Sequence, residues 1–257
     1  MQELCHKSIV LTGGNSGIGA ALLKELAKPE RYNKLLVADK SVDQIPEMDH
    51  VKAIAIDLSQ ERSIALLLEQ AYRSFEKIDL FFSNAGLAYY HGVKSDQWSG
   101  LDYLFRVNVL SQLSLFSSLL HRQAEEDFRF VVTASGMSYM GIPGYASYSA
   151  SKHALLGFAS TARFELKEPQ TLTMVYPVAT RTRFFEQDTG HRAPVPWPSQ
   201  SAEQVSRAIL RGLERGQKDI YPFPGFRLMI WFHQAFGLGW LYQVYCQRVF
   251  RRFFGKE

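Results

Sequence analysis

The stretch TGGNSGIG (12–19) joins a run of apolar residues, KSIVLT (7–12), to a helix-like stretch that continues to Lys28. Three glycines fill a TGxxxGxG pattern: Gly13, Gly17 and Gly19. A tight turn of this kind brings backbone N–H groups and a helix N-terminus against a pyrophosphate, where side chains would block the approach. The stretch therefore predicts a strand–turn–helix unit that binds a dinucleotide. A strand–helix turn without a ligand is the alternative.

Outward from this turn, apolar runs alternate with helix-like periodic stretches. Strand-like runs occupy 7–12, 34–39, 51–57, 78–86, 128–135, 171–177 and, briefly, 218–223. Helix-like stretches occupy 17–28, 59–75 with Ser59 as N-cap, 99–123, 146–167 and 202–216. Strands separated by helices indicate βαβ units, and near-continuous apolar strands indicate a sheet covered on both faces. We predict an α/β fold over residues 1–222: a Rossmann-like doubly wound parallel sheet of about seven strands, flanked by helices.

The composition is that of an ordinary globular protein, and 257 residues are enough for one large α/β domain. Two cysteines, Cys5 and Cys246, lie far apart without a CxxC pair, and the seven histidines show no metal-ligand spacing. We therefore expect no metal site and a reducing compartment. The N-terminal residues contain no apolar stretch long enough for a signal peptide, so a cytoplasmic location is the expectation.

The formal net charge of +4 is unevenly placed. From Gly225 to the C-terminus there are five basic side chains and one acidic side chain, which account for the whole excess. The high pI therefore gives no reason to expect nucleic acid binding by the main domain. It points instead to the C-terminal segment 223–257.

Residues 223–257 form an aromatic-rich, basic extension with helical patterning. Arg227, His233 and Gln243 interrupt its apolar runs, so a membrane-spanning helix is not expected. Two interpretations compete. The segment is an interfacial amphipathic element, with aromatic side chains in lipid and arginines near anionic headgroups, or it packs on its own subunit or a partner and roofs the active site. We favour the first, which adds peripheral membrane contact to the expected location.

The stretch YSASK (148–152) places a phenol and an ammonium one helical turn apart. Residues four apart share one helix face, so the Lys152 charge can stabilise the Tyr148 phenolate and lower the pKa of that phenol. A free tyrosine has a pKa of about 10, too high for an efficient base at neutral pH. The pair therefore predicts a proton-transfer site, and an exposed amphipathic pair is the alternative.

Asp39 ends the second predicted strand, about 20 residues beyond the glycine turn. A carboxylate at that place can accept a hydrogen bond from an adenosine ribose hydroxyl and repels a 2′-phosphate. NAD(H) is therefore favoured as cofactor. Lys40 follows at once and keeps NADP(H) open.

These motifs, taken in order, resemble the short-chain dehydrogenase/reductase family in its one-domain form. TGGNSGIG is similar to its TGxxxGIG turn, IDL (56–58) to its adenine-proximal acidic position, SNAG (83–86) to its NNAG turn, and YSASK to its YxxxK motif. Asn108 falls at the position of the family's helix asparagine, and Ser135 lies thirteen residues before Tyr148. The matching motifs run from Thr12 to about Thr182.

The resemblance implies an NAD(P)(H)-dependent alcohol dehydrogenase or carbonyl reductase. Tyr148 would be the acid/base, Lys152 would also hold the nicotinamide ribose, and Ser135 would bind the substrate oxygen. Asn108 would anchor a water that links Lys152 to solvent. The family commonly dimerises through the helices that here span 99–123 and 146–167, so a homodimer or homotetramer is expected.

The resemblance also implies the binding residues. The cofactor would contact Gly13, Asn15, Ser16, Gly17, Ile18, Gly19, Asp39, Asp57, Leu58, Asn84, Ala85, Gly86, Tyr148, Lys152, Pro177, Thr180 and Thr182. The substrate would contact Ser135 and Tyr148. From their positions in the chain we also expect Phe184 and Phe185 to contact it, and Tyr145 to line the substrate pocket or a loop. One departure is PVATRT (177–182), where Val178 replaces the family's glycine and Thr180 its valine, which bears on loop closure over the cofactor.

The loop 183–200 is where the family closes over substrate. Its aromatic side chains, among them Trp197, suggest an apolar wall and hence a lipophilic alcohol or ketone. Aromatic side chains that pack on the core are the alternative. Two other functions stay open: a cofactor-binding scaffold without turnover, and a protein whose main function is the membrane or partner contact of its extension.

Overall fold

A seven-stranded parallel sheet forms the centre of the protein, whose computed structural model describes residues 4–182, 198–235 and 239–253. The strands are β1 (Ser8–Thr12), β2 (Lys34–Asp39), β3 (Val51–Ala55), β4 (Leu80–Ser83), β5 (Arg129–Thr133), β6 (Thr171–Val175), β7 (Ala179–Arg181), β8 (Ser199–Ser201) and β9 (Asp219–Ile220). The large sheet has the order β3-β2-β1-β4-β5-β6-β9, and β7 pairs with β8 separately. The prediction of a Rossmann-like sheet of about seven strands is confirmed.

Helices cover both faces of the sheet. They are α1 (Gly17–Leu26), α2 (Glu61–Ser74), α3 (Trp98–Phe105), α4 (Ser111–Arg122), α5 (Ala146–Ala162), α6 (Ala202–Glu214), α7 (Pro224–Ala235) and α8 (Gly239–Phe253). A π-helical segment, Arg106–Leu110, joins α3 to α4. Within the described ranges, no helix combines enough length and hydropathy to cross a bilayer.

The core has two halves, one on each face of the sheet. Val10 packs in the half that contains residues of α2, α4 and α5, whereas its neighbours Ile9 and Leu11 pack with residues of α1 and α6. All three side chains are fully buried, because successive residues of a strand point to opposite faces and both faces are covered. This explains why the strands read as continuous apolar runs.

Two predicted helix boundaries were wrong. The helix predicted from Ser59 begins at Glu61 with Gln60 as its N-cap. Ser59 lies buried in the preceding turn, where its N–H donates to Asp57 Oδ1 at 2.9 Å. The helix predicted to reach residue 167 ends at Ala162.

The early end of α5 coincides with a side-chain anchor. Arg163 follows the helix and donates to the Leu172 carbonyl at 3.1 Å and to the Asp219 carboxylate at 3.0 Å. These bonds tie the end of the helix to the sheet edge. The short pair β7–β8 was not predicted, because three-residue strands carry too little periodicity.

Candidate active site

A cavity of about 950 Å³ lies across the carboxyl ends of the central strands. The chain order reverses between β1 and β4, which makes this edge the usual ligand crevice of an open α/β sheet. Sixteen of the predicted site residues line the cavity: Gly13, Ser16, Gly17, Ile18, Asp39, Asp57, Leu58, Asn84, Ala85, Gly86, Ser135, Tyr148, Lys152, Pro177, Thr180 and Thr182. The fold thus brings together motifs from most of the first 182 residues.

The glycine turn is packed too closely for side chains. A Cβ added to Gly13 would lie 2.8 Å from the Ala85 Cα, and one added to Gly19 would lie 1.8 Å from the Gly13 carbonyl oxygen. Gly13 also has φ +71°, which favours glycine. The backbone therefore presents a bare surface at the start of α1, which fits a pyrophosphate held by N–H groups at a helix N-terminus.

The SNAG turn is bonded to the strands on both sides of it. Thr12 Oγ1 accepts the N–H groups of Asn84 and Ala85 at 3.0 and 3.1 Å. The Asn84 amide donates to the Gly13 carbonyl at 3.0 Å and accepts the Thr133 hydroxyl at 3.0 Å. One partly buried turn thereby fixes the ends of β1, β4 and β5 relative to one another.

The adenosine end of the cavity is marked by Asp39 at the end of β2. Its Oδ2 accepts the Asn15 N–H at 2.9 Å and its Oδ1 accepts the Lys40 N–H at 2.7 Å. The Lys40 ammonium donates to the Tyr103 hydroxyl at 3.1 Å. That bond raises the pKa of Lys40, so its positive charge is retained at the cavity wall.

Tyr148 and Ser135 meet at the other end of the cavity. Tyr148 is only 6 % exposed, and Ser135 caps a short 3-10 turn by accepting the Met137 N–H at 3.1 Å. Burial raises the pKa of Tyr148 to about 12, and the hydrogen bond with Ser135 acts in the opposite direction. The phenol is therefore neutral at physiological pH in the cofactor-free protein.

Lys152 lies within the same buried site. Its Nζ donates to the Thr133 carbonyl at 2.9 Å and lies 5.7 Å from the centroid of the Tyr148 ring. Burial lowers the pKa of Lys152 to about 7. The expected lowering of the Tyr148 pKa is therefore not what the cofactor-free site has, because desolvation opposes both charged forms and weakens the cation that was to stabilise the phenolate.

Asn108 lies behind the cavity in the π-helical segment and is completely buried. Its Oδ1 accepts the Leu87 N–H at 2.9 Å, and its Nδ2 donates to the Leu87 carbonyl at 2.8 Å and to Ser151 Oγ at 3.1 Å. Ser151 in turn donates to the Tyr148 carbonyl at 2.7 Å. This network joins the π-helical segment to α5. Such π-helical segments are frequent at functional sites.

The lowered pKa of Lys152 predicts a pH-dependent stability. Between pH 7 and 10.5 the unfolded chain holds a proton on Lys152 that the folded protein lacks, so this group makes the fold more stable as the pH rises. From pH 7 to 9 its contribution should grow by about 2 kcal/mol. Urea unfolding of cofactor-free wild type and Lys152→Met at both pH values measures this as a growing difference. A difference that does not change with pH contradicts a neutral Lys152.

Four predicted residues do not line the cavity. Gly19 and Asn108 support it from behind, and Asn15 bonds the neighbouring loop through Asp43 Oδ1 at 2.9 Å. Tyr145, expected in the substrate pocket or a loop, is 2 % exposed, and its ring packs edge-on against Tyr148 with 6.3 Å between centroids. The short turn before α5 directs it inward, so it supports the catalytic ring.

Phe184, Phe185 and Trp197, predicted to form the apolar wall, lie outside the described residues. The structure assigns part of that wall to the C-terminal extension instead. Its contributions to the cavity lining are Gly225, Phe226, Leu228, Met229, Phe232, Leu241, Tyr242 and Tyr245. In α7 the residues at 225, 228, 229 and 232 have the spacing of one helix face, which is the sequence signal that could have identified them.

The sheet, the bare glycine turn and the shared cavity that Ser135, Tyr148 and Lys152 line are together those of a Rossmann-type dinucleotide-binding fold. The chain belongs to the short chain dehydrogenase family, because the sequence model of that family matches residues 7–192. It is therefore an NAD(P)-dependent oxidoreductase, and the alternative of a scaffold without turnover is not favoured.

Similar proteins fall in the same family. The chain is 26 % identical over 227 residues to the 3-ketodihydrosphingosine reductase of Bos taurus. The aligned region covers 79 % of this chain and 68 % of the relative. A short chain dehydrogenase/reductase from Burkholderia phymatum, solved with NAD, has a TM-score of 0.79 and 20 % identity, covering 93 % and 97 % of the two chains. A short chain dehydrogenase from Burkholderia cenocepacia J2315, solved with NADP, has a TM-score of 0.78 and 22 % identity, covering 91 % and 95 %. The two structures share the fold.

Proposed function

We propose that this chain interconverts a lipophilic alcohol and its ketone or aldehyde, with Tyr148 as the acid/base. One observation carries the proposal: Ser135 and the buried Tyr148 and Lys152 line the same cavity as the glycine turn. A proton donor and a dinucleotide-binding turn are thus within reach of one substrate.

A nicotinamide cofactor, when bound, supplies or accepts the hydride. In reduction, Ser135 donates a hydrogen bond to the substrate oxygen, and Tyr148 passes its proton to that oxygen as negative charge develops there. The neutral phenol of the cofactor-free site already holds this proton. In oxidation, Tyr148 accepts the proton, which requires a cation nearby to stabilise the phenolate.

Lys152 is the cation that this chain offers to the phenolate. Its Nζ has a carbonyl partner in Thr133 and lies close to Gly86, where an added Cβ would be 3.6 Å from it. We propose that the Lys152 ammonium binds the ribose of the cofactor. The ribose hydroxyl oxygens would accept its hydrogen bonds and so favour the charged form of the lysine. Asn108 positions α5 through Ser151, and a water at its π-helical backbone would complete the proton path to solvent.

We propose NAD(H) as the preferred cofactor. The Asp39 carboxylate is held in place by two backbone N–H groups at the point where an adenosine ribose would lie. Its charge repels a 2′-phosphate, and the neighbouring Lys40 ammonium donates one of its hydrogen bonds to the Tyr103 hydroxyl. Pro177, Thr180 and Thr182 line the opposite end and would contact the nicotinamide.

Oxidation of NADH and of NADPH with a panel of steroid, retinoid, long-chain and small ketones tests activity and cofactor choice together. We expect kcat/KM to be at least about tenfold higher with NADH, since juxtaposed like charges disfavour NADPH by more than 1 kcal/mol. Asp39→Asn should reduce this ratio severalfold, and Asp49→Asn, at an exposed carboxylate outside the cavity, should leave it unchanged. A panel without turnover despite cofactor binding contradicts the proposed activity.

The apolar lining from α7 and α8 supports a lipophilic substrate. The name of the Bos taurus relative, a 3-ketodihydrosphingosine reductase, is consistent with such a substrate. A ketone with a large apolar part gains more from this lining than a small polar one does.

The outer surface of the extension supports a peripheral membrane contact. Trp231 is exposed on α7, and Trp240, Phe250, Arg248 and Arg251 are exposed on α8. Aromatic side chains next to arginines suit the interface of an anionic bilayer. We therefore propose that the enzyme binds anionic membranes through this surface while the inner side of the same helices lines the cavity.

Sedimentation of the full-length protein with vesicles of phosphatidylcholine and phosphatidylserine tests this contact. We expect binding that weakens as salt rises and falls at least about fivefold in the Trp231→Ser/Trp240→Ser variant, because each side chain adds buried apolar area. Trp98→Ser is the matched control, since Trp98 is 85 % exposed but lies on α3. Equal recovery of wild type and the double variant from the supernatant contradicts the contact.

A homodimer or homotetramer remains the proposed assembly. Leu110, at the end of the π-helical segment, and Phe164, in the turn after α5, are apolar side chains that are 57 % and 90 % exposed. Both lie within the two stretches, 99–123 and 146–167, for which the resemblance implies association. Sedimentation equilibrium measures the assembly directly.

A further inference from the structure

Five apolar residues of the extension line the cavity and are also 40–56 % exposed: Leu228, Met229, Phe232, Leu241 and Tyr245. They lie on one face of α7 and one face of α8, and we call them the ring. Among the described lining residues, no other large apolar side chain is as exposed, so the ring marks the mouth through which the cavity opens to solvent.

The two helices are held against the segment between β5 and α5, residues 134–145, which contains Ser135 and which we call the catalytic loop. Phe226, at the start of α7, is 6 % exposed, and a Cβ added to Gly136 would lie 3.0 Å from its ring. Gly136 is the residue after Ser135. On α8, Cys246 Sγ lies 3.8 Å from the Gly141 carbonyl oxygen. The path from Ser135 to the mouth is thus bordered by residues of the catalytic loop and of the extension.

The side chains that line this path indicate which kind of molecule fits it. Among the described residues, α7 and α8 contribute no charged side chain to the lining, and the loop adds Met137, Met140 and Ile142. Methionine and leucine side chains adapt to flexible apolar chains, whereas a rigid polyhydroxylated molecule would require fixed polar partners.

We propose that the substrate is a long-chain ketone or alcohol whose oxygen lies at Ser135 and Tyr148 and whose alkyl chain leaves the cavity between α7 and α8. The ring contacts the outer methylenes of that chain and so makes activity depend on chain length. This inference rests on the proposed function, which it narrows from a lipophilic substrate to a single-chain one.

A series of 2-alkanones from 2-pentanone to 2-undecanone, with NADH, tests the inference in the wild type. We expect kcat/KM to rise up to about fourfold for each methylene that becomes buried along the path. The Met229→Gln/Leu241→Asn variant replaces two ring side chains with polar ones of similar shape. In this variant, kcat/KM should rise less than twofold for each added methylene of the longer ketones. Val244→Thr, an equally isosteric change at an exposed α8 residue outside the lining, should keep the wild-type slope.

Calorimetric titration of the same ketones into NADH-saturated protein separates this inference from the proposed function. Absence of turnover in every ketone, with chain-length-dependent binding that the double variant loses, overturns the proposed activity and supports the alkyl path. Turnover that does not depend on chain length, or a slope that the double variant retains, overturns the alkyl path and leaves the activity in place.

Discussion

Replacing Tyr148 with phenylalanine should lower kcat by about 10²–10⁴-fold, the usual contribution of a positioned general acid or base. The change removes one oxygen and leaves the ring, which packs against Tyr145 in the buried cluster beneath the cavity. Cofactor affinity should therefore change by less than about threefold. Steady-state turnover of any active ketone, together with NADH fluorescence titration, measures both quantities.

Tyr139→Phe is a matched control for this variant. The Tyr139 hydroxyl bonds the Tyr221 hydroxyl at 3.1 Å, and neither residue lines the cavity. Loss of this hydrogen bond should change the free energy of unfolding more than it changes kcat. A Tyr148→Phe enzyme that keeps more than a tenth of wild-type kcat would show that the proton comes from another group.

Replacing Gly19 with alanine should weaken dinucleotide binding by about 10²-fold. The added Cβ would lie 1.8 Å from the Gly13 carbonyl oxygen and 2.8 Å from Asn84 Nδ2, so the turn must open. Strain of this kind typically amounts to about 1–3 kcal/mol, and 1.4 kcal/mol is tenfold in affinity. NADH titration and thermal unfolding measure the two consequences.

Gly157→Ala is the corresponding control. Gly157 lies in α5, and a Cβ there meets nothing within 4 Å. Alanine is a better helix former, so this variant should be about 0.5–1 kcal/mol more stable with unchanged NADH binding. Equal NADH affinity in Gly19→Ala and wild type would contradict a dinucleotide held at the glycine turn.

Local patterns carried much of the site. The glycine turn, Asp39 and the Tyr148–Lys152 pair were predicted from residue type and spacing, and the SNAG turn and Ser135 from the resemblance to the family. The fold places all of them around one cavity. Their spacing is informative because parallel strands deliver the residues at their carboxyl ends to a single edge. The same patterns could not place Tyr145, whose direction depends on how the preceding turn packs.

The C-terminal extension shows where local patterns are insufficient. Its amphipathic sequence fits both a membrane surface and a cavity wall, and we favoured the membrane. Contacts between Phe226 and Gly136, and between Cys246 and Gly141, join residues 90 and 105 positions apart and make α7 and α8 part of the cavity. The exposed outer surface of these helices is why the membrane contact is still proposed.

The sequence alone determined the order of strands and helices and the bare turn between β1 and α1, and it is the source of the proposed proton-transfer pair, because these depend on residues close together in the chain. Only the tertiary structure decided the protonation of Tyr148 and Lys152 and the composition of the cavity mouth. The physical reason is burial: the loss of water around an ionisable group, and the pairing of apolar surfaces, are set by segments that meet only when the chain folds.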